Sequence, residues 1–188
     1  MRRIGIISDT HAKPDGKKGE KRGIPRVVLE RLRGCNQIVH CGDIGLWDQV
    51  VPVLEKIAPV VIIKGNHDKR LKEKIPWSVC MTIEGWRLWV VHGHGGDVRH
   101  NPLSIIKSLK EPADIILFGH IHRPLVYADK EIILVNPGST SSTDYTPFAS
   151  FIIMLVAKER ISITTYLLNK DRTAVKATQR AVLFKSKR

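Results

Sequence analysis

Metal-ligating side chains recur in five short clusters: Asp9-Thr10-His11, Gly42-Asp43, Gly65-Asn66-His67-Asp68, His92-Gly93-His94 and Gly119-His120-Ile121-His122. Imidazole and carboxylate donors suit zinc, manganese and iron, whereas thiolates select softer sites. In extended backbone, residues i and i+2 point the same way, so Asp-x-His and His-x-His each aim two ligands in one direction. Asp9, His11, Asp43, Asn66, His92, His120 and His122 form the candidate set. A single zinc takes only three or four protein ligands, so this set is large enough for two ions. Paired divalent ions sit ~3.5–4 Å apart and need a carboxylate between them. Glycine precedes Asp43, Asn66 and His120, letting the backbone turn sharply at each.

Each cluster follows a short apolar run. Ile4–Ile7, Ile38-Val39, Val60–Ile63, Leu88–Val91 and Ile115–Phe118 lead into the five clusters, and Ile132–Val135 leads into Asn136-Pro137-Gly138-Ser139. Brief, non-alternating Ile/Val runs read as strands buried on both faces. Helical patterns fall between them at Val27–Arg33, Gln49–Lys56 and Ser104–Lys110. Strand–helix alternation implies a largely parallel sheet covered by helices. Ligands in such sheets bind outside the C-terminal strand ends, where all these clusters fall. The second half reads as hairpins: Val79–Glu84 with Trp86–Val91, Leu125–Tyr127 with Ile132–Val135, and Phe151–Val156 with Ile161–Tyr166. A second, mixed or antiparallel sheet is therefore expected to pack on the first.

The chain has 188 residues, enough for one domain with a real core. No apolar run approaches the ~20 residues needed to cross a bilayer. The start, Met1-Arg2-Arg3, lacks a signal-peptide core, and a cytoplasmic protein is expected. Cys35, Cys41 and Cys80 are spaced as neither a disulfide framework nor a zinc knuckle. The net charge is +13. It concentrates in residues 13–33 and in the last 19 residues. We divide the chain into a domain over 1–168, with a polar basic insertion at 12–25, and a loosely attached basic tail over 169–188.

In order and context, the five clusters resemble the successive motifs of the calcineurin-like metallophosphoesterases. The Ile-Ser-Asp-Thr-His start and the Asn136-Pro137-Gly138-Ser139 segment resemble the family's small single-domain branch, which includes phosphodiesterases and the scaffold Vps29. The resemblance covers roughly residues 4–167. It implies an α/β fold, a four-layered αββα sandwich with two mixed β-sheets and the metal site at the C-terminal strand ends. It implies that Asp9, His11 and His122 hold one metal, that Asn66, His92 and His120 hold the other, and that Asp43 bridges them. Manganese is the first expectation, with zinc, iron and nickel as alternatives. His67 matches a histidine that reaches the phosphate or the leaving oxygen. The implied reaction is hydrolysis of a phosphomonoester or phosphodiester by in-line attack of a hydroxide bridging the metals, with His67 protonating the leaving alkoxide.

Two rivals stand beside this reading. One is a nuclease that holds nucleic acid through the basic segments. The other is a non-catalytic scaffold of the Vps29 type, disfavoured because every ligand and His67 are present. Homo-oligomerisation is left open. Among the remaining residues, His40 is expected to support the ligands and His100 to lie on the surface. His94 either contacts substrate or orients His92. Asp68 is expected to cap its turn, and Cys41 to pack.

Overall fold

The structure, a computed structural model, describes residues 1–13, 23–69, 71, 74–141 and 148–185. Most of the expected insertion, residues 14–22, lies outside the described residues. Two mixed sheets stack face to face. In the first, β1 (Arg2–Ile7), β2 (Gln37–His40) and β3 (Val60–Ile62) run parallel. Antiparallel strands β9 (Ser150–Val156), β10 (Arg160–Leu168) and β11 (Val175–Phe184) extend it beyond β1, in the order β11-β10-β9-β1-β2-β3. The second has the order β4-β5-β6-β8-β7, built from β4 (Ser78–Ile83), β5 (Trp86–Val91), β6 (Ile115–Phe118), β7 (Pro124–Ala128) and β8 (Ile133–Pro137). Its β5, β6 and β8 are parallel, and the edge strands β4 and β7 are antiparallel to their neighbours.

Burial explains why the strands read as unbroken apolar runs. Ile4, Ile6, Val39, Leu88, Val90, Ile115, Leu117, Ile152 and Met154 fill the core between the sheets. The alternate residues Ile7, Ile38, Phe151 and Ile153 face α1 (Arg26–Leu32) and α2 (Trp47–Glu55), which cover the first sheet. Trp89, Ile116, Phe118 and Leu134 pack under a helix over Pro102–Ser108 on the other side. The layers therefore follow the αββα order. A strand with helix on one face and sheet on the other has no solvent side, so nothing polar interrupts it.

Three details depart from expectation or sharpen it. The segment expected to form a helix over Ser104–Lys110 is a 3₁₀ helix, Pro102–Ser108. Pro102 opens it, and the segment stays one short piece of the tighter coil, as 3₁₀ runs usually are. The Glu84-Gly85 turn has φ of 51° and 82°, the paired left-handed geometry that closes a two-residue hairpin. The tail read as loosely attached instead supplies β11, which pairs with β10 from Arg160↔Phe184 to Leu168↔Val175. Its exposed Lys176 and Arg180 gave it the composition of a solvated segment; Lys and other charges are usual on an edge strand. Among the described residues no helix is long and apolar enough to cross a membrane.

Asp68 ties together the loops that leave β2 and β3. Its carboxylate is buried and accepts from the backbone N–H of Ile44 at 2.9 Å, Gly45 at 3.4 Å and Gly65 at 2.9 Å. The expected cap is thus a clamp across two loops. Asp68→Ala strands buried amides, each costing roughly 1–3 kcal/mol. We expect a clear drop in melting temperature, with Asp68→Asn intermediate because its carbonyl still accepts. A melting temperature unchanged by Asp68→Ala would rule out this clamp.

Candidate metal centre

The strand ends converge as the parallel topology requires. Asp9 and His11 follow β1, Asp43 follows β2, Asn66 follows β3, His92 follows β5, and His120 and His122 follow β6. The first two loops stay paired past their strands: Asp9 N–H donates to Gly42 O, and His11 N–H to Asp43 O, both at 3.0 Å. Five of these side chains sit on left-handed backbone, at Asp9 (φ 53°), His11 (42°), Asp43 (56°), His120 (69°) and His122 (57°). Left-handed φ is uncommon outside glycine, and Asp and His tolerate it better than most residues. Conformational strain of this kind collects at functional sites.

The ligand atoms face one another at short range. His122 Nε2 lies 3.1 Å from Asp9 Oδ1 and 3.3 Å from His11 Nε2. His11 Nε2 is 3.8 Å from Asp9 Oδ1 and 3.7 Å from Asp43 Oδ2. His92 Nε2 is 3.3 Å from Asp43 Oδ2, 3.1 Å from Asn66 Oδ1 and 4.0 Å from Asp9 Oδ1. Two metal-sized groups result: Asp9, His11 and His122, and Asp9, Asp43 and His92. Asp43 Oδ2 stands between His11 and His92, in reach of both groups, and Asp9 Oδ1 shares that midline. The resemblance had assigned the bridging place to Asp43 alone. His120 belongs to neither group. Its ring centroid is 5.3 Å from that of His92, and its N–H donates to Asp9 Oδ2 at 3.1 Å.

Several observations fit a cation at this centre. Asp9 Oδ1 is fully buried, and imidazole nitrogens of His122, His11 and His92 face it at 3.1, 3.8 and 4.0 Å, a ring of ligand atoms around one carboxylate oxygen. His92 Nδ1 lies 2.7 Å from the carbonyl of Cys41, which only accepts, so Nδ1 carries hydrogen and Nε2 faces the centre. Fixing a ligating imidazole through its other nitrogen is the usual support of a metal site. His40 is spent differently. Its Nδ1 accepts from Gly42 N–H at 3.2 Å and its Nε2 meets Thr10 Oγ1 at 3.1 Å, so both nitrogens are used away from the centre.

Electrostatics point the same way. Burial works against ionising Asp9 and Asp43, yet the surrounding histidines hold both carboxyls below the usual range. Burial also pulls His92 down, but Asp43 and Asp9 outweigh it and hold the imidazole up at about 9. In His11 and His120 burial prevails and holds the pKa at about 4. The carboxylate pair therefore demands positive charge and, without a metal, takes it as a proton on His92.

Close packing positions these groups. A Cβ on Gly65 would stand 2.0 Å from Asp43 Oδ1, and one on Gly119 would stand 2.0 Å from Ser8 Oγ and 2.9 Å from Asp9 Oδ2. Asn136 Nδ2 donates to Gly119 O at 2.6 Å, and Ser139 Oγ donates to Asp9 O at 2.7 Å. The Asn136–Ser139 segment thus braces the loops of His120 and Asp9. Cys41 is buried, its thiol pushed up by burial, as packing requires. His67 lies over the centre with its ring 5.3 Å from that of His11 and its side chain 67% exposed. Its backbone N–H donates to Asp43 Oδ1 at 2.9 Å. His94, exposed, lies beside His92 with ring centroids 5.7 Å apart and the rings tilted at 41°. Sequence reasoning gave no role to Trp77, whose ring lies 5.5 Å from that of His94.

Comparison with known proteins agrees with this geometry. Residues 1–159 match the family described as the calcineurin-like phosphoesterase superfamily domain. A probable metallophosphoesterase of Methanothermobacter thermautotrophicus is 34% identical over 139 residues, covering 72% of this chain and 76% of that protein. A phosphodiesterase of Methanocaldococcus jannaschii is 26% identical over 150 residues, covering 72% of this chain and 82% of that one. In fold, Vps29 of Chaetomium thermophilum superposes with a TM-score of 0.80 at 20% identity, covering 98% of this chain and 97% of that one. With the family model spanning most of its length, the chain belongs to the calcineurin-like phosphoesterase superfamily.

Proposed function

We propose that the chain is a phosphoesterase with two divalent metals, acting as a phosphodiesterase. The observation that carries this reading is the pair of buried carboxylates, Asp9 and Asp43, ringed at ligand distances by the imidazole nitrogens of His11, His92 and His122. Asp9, His11 and His122 hold one cation; Asn66, His92 and His120 hold the other; Asp43 serves both. Bound there, two cations supply Lewis-acid charge for phosphate oxygens and bring the pKa of a water near neutrality. Among the chain's own residues, Asp43 keeps the two halves in register through its contacts to His11, His92 and the His67 amide. His67, exposed over the centre, meets the departing oxygen and gives it a proton. The complete ligand set supports an enzyme over a scaffold. The nuclease reading has less support, since Lys176 and Arg180 lie on β11, three strands from β1.

Elemental analysis after manganese or zinc loading should give about two ions per chain. Asp43→Asn should weaken binding and abolish turnover, whereas His40→Ala should cost stability and keep the metal count. A count that never exceeds one overturns the two-metal site.

Loading should also release a proton. With a pKa of about 9, His92 is protonated at pH 7 in the metal-free protein and must lose that proton to ligate. His11 and His120, at about 4, are already neutral and release none. Calorimetry in buffers of different ionisation enthalpy should report at least one proton released per chain at pH 7, one from His92 and a further fraction from metal-bound water, with affinity rising toward pH 9. Zero net release would contradict the charge balance drawn above.

His67→Ala should retain both metals and slow hydrolysis roughly 10²–10⁴-fold. The loss should shrink for nitrophenyl esters, whose leaving group scarcely needs an acid. An equal loss for good and poor leaving groups would assign His67 to phosphate binding instead.

A further inference from the structure

The rim beside His92 carries an exposed aromatic side chain that the metal centre does not explain. Trp77 is 48% exposed. It forms the end of a ladder of rings: Trp77 to His94 at 5.5 Å, then His94 to His92 at 5.7 Å and to His120 at 6.5 Å. The backbone fixes it there from two sides. Ser78, the next residue, pairs with Val91 immediately before His92. Pro76, the preceding one, accepts from Lys64 N–H at 2.8 Å, two residues before Asn66. Trp77 is therefore held between the loops that carry Asn66 and His92. Half of this large ring faces water at the mouth of the site, fixed in place and open to a flat partner.

Two cations act on its neighbours in the ring ladder. The Lys69 ammonium acts on His94 and the Arg99 guanidinium acts on His120, and both side chains are exposed. A flat, electron-rich ring one step from the metal-ligand cluster, with cations acting on the ladder behind it, matches a phosphate attached through a sugar to an aromatic base. Stacking of a base on an aromatic side chain tolerates any base, because each presents a π-face.

We propose that Trp77, with His94 behind it, is a stacking platform that selects phosphate esters bearing a nucleobase. This deepens the phosphodiesterase reading and rests on it. The phosphate sits at the cluster of Asp9, Asp43 and His92, and the base lies on Trp77. Trp77 is a specificity residue and takes no part in bond breaking.

The test separates the platform from the chemistry. Adenosine 5′-monophosphate should quench the tryptophan fluorescence of the metal-loaded protein, and ribose 5-phosphate should not. Trp77→Ala should abolish that quenching. Turnover is then compared on adenosine 5′-(methyl phosphate) and its base-free ribose analogue, which share a leaving group. Stacking is worth ~1–3 kcal/mol per base, so Trp77→Ala should raise KM roughly 10-fold for the adenosine ester, with kcat and the ribose ester unchanged. Trp77→Phe should restore most of the loss. Equal quenching by both phosphates, or equal kinetic loss on both esters, overturns the platform. A switch to monomer on Trp77→Ala, seen by light scattering, would assign the ring to a contact between copies and also overturns it. If neither ester is hydrolysed while base-dependent quenching persists, the phosphodiesterase reading fails and the platform stands.

Discussion

Two carboxylates buried side by side set the terms for the rest of this molecule. Asp9 and Asp43 have almost no solvent exposure and share the same imidazole neighbours. An unpaired buried charge is heavily penalised, and like charges in one site push each other toward neutrality. Here both stay ionised because positive charge and N–H donors converge on them. His92 contributes a proton-borne charge, His67 and His120 contribute backbone amides, and the His122 imidazole stands 3.1 Å from Asp9 Oδ1. A divalent ion satisfies all of these at once. The site's electrostatics are intelligible only with a cation in view.

Holding the groups in that geometry has a structural cost. Five of the ligating positions lie on left-handed backbone, strained for residues with a Cβ. The strain persists because the surrounding loops are over-determined. Asp68 clamps the β2 and β3 loops, Ser139 holds Asp9, and Asn136 holds Gly119. Beneath them, three apolar clusters separate the four layers and fix the strand ends in position. Parallel strands matter for this reason: β1, β2 and β3 deliver their C-termini to one edge, and β5 and β6 deliver theirs to the facing edge of the second sheet.

Much of this was legible in the residues. Doubly covered strands leave unbroken Ile/Val runs, and the ligands follow directly because they sit where the chain exits the sheet. Glu84-Gly85 announced its hairpin through turn chemistry. What escaped had no local signal. β11 is an edge strand with mostly exposed residues, so its Lys176 and Arg180 read as a solvated tail. The 3₁₀ helix carries the same apolar pattern as an α-helix, which does not distinguish the two coils. Asp9 looked like a ligand to one metal, and only three-dimensional distances show it reaching both groups. Trp77 is a lone aromatic ahead of a strand; the register of β4 against β5 alone reveals its place at the site.

Fold and chemistry also separate cleanly here. The architecture superposes on Vps29 at an identity too low to carry more than the fold. A fold supplies strand ends at a shared edge, and function depends on which side chains occupy them. In this chain those positions hold carboxylates and imidazoles whose ligand atoms meet within 3.1–4.0 Å. Surface scaffolding needs none of this. It asks neither for a buried pair of carboxylates ringed by imidazoles nor for an imidazole on His92 oriented by a carbonyl. Left-handed backbone at five ligand positions would be a cost without return in a protein that used only its surface. That these costly features coincide at one edge of the sandwich is the physical argument for a candidate metal-binding centre.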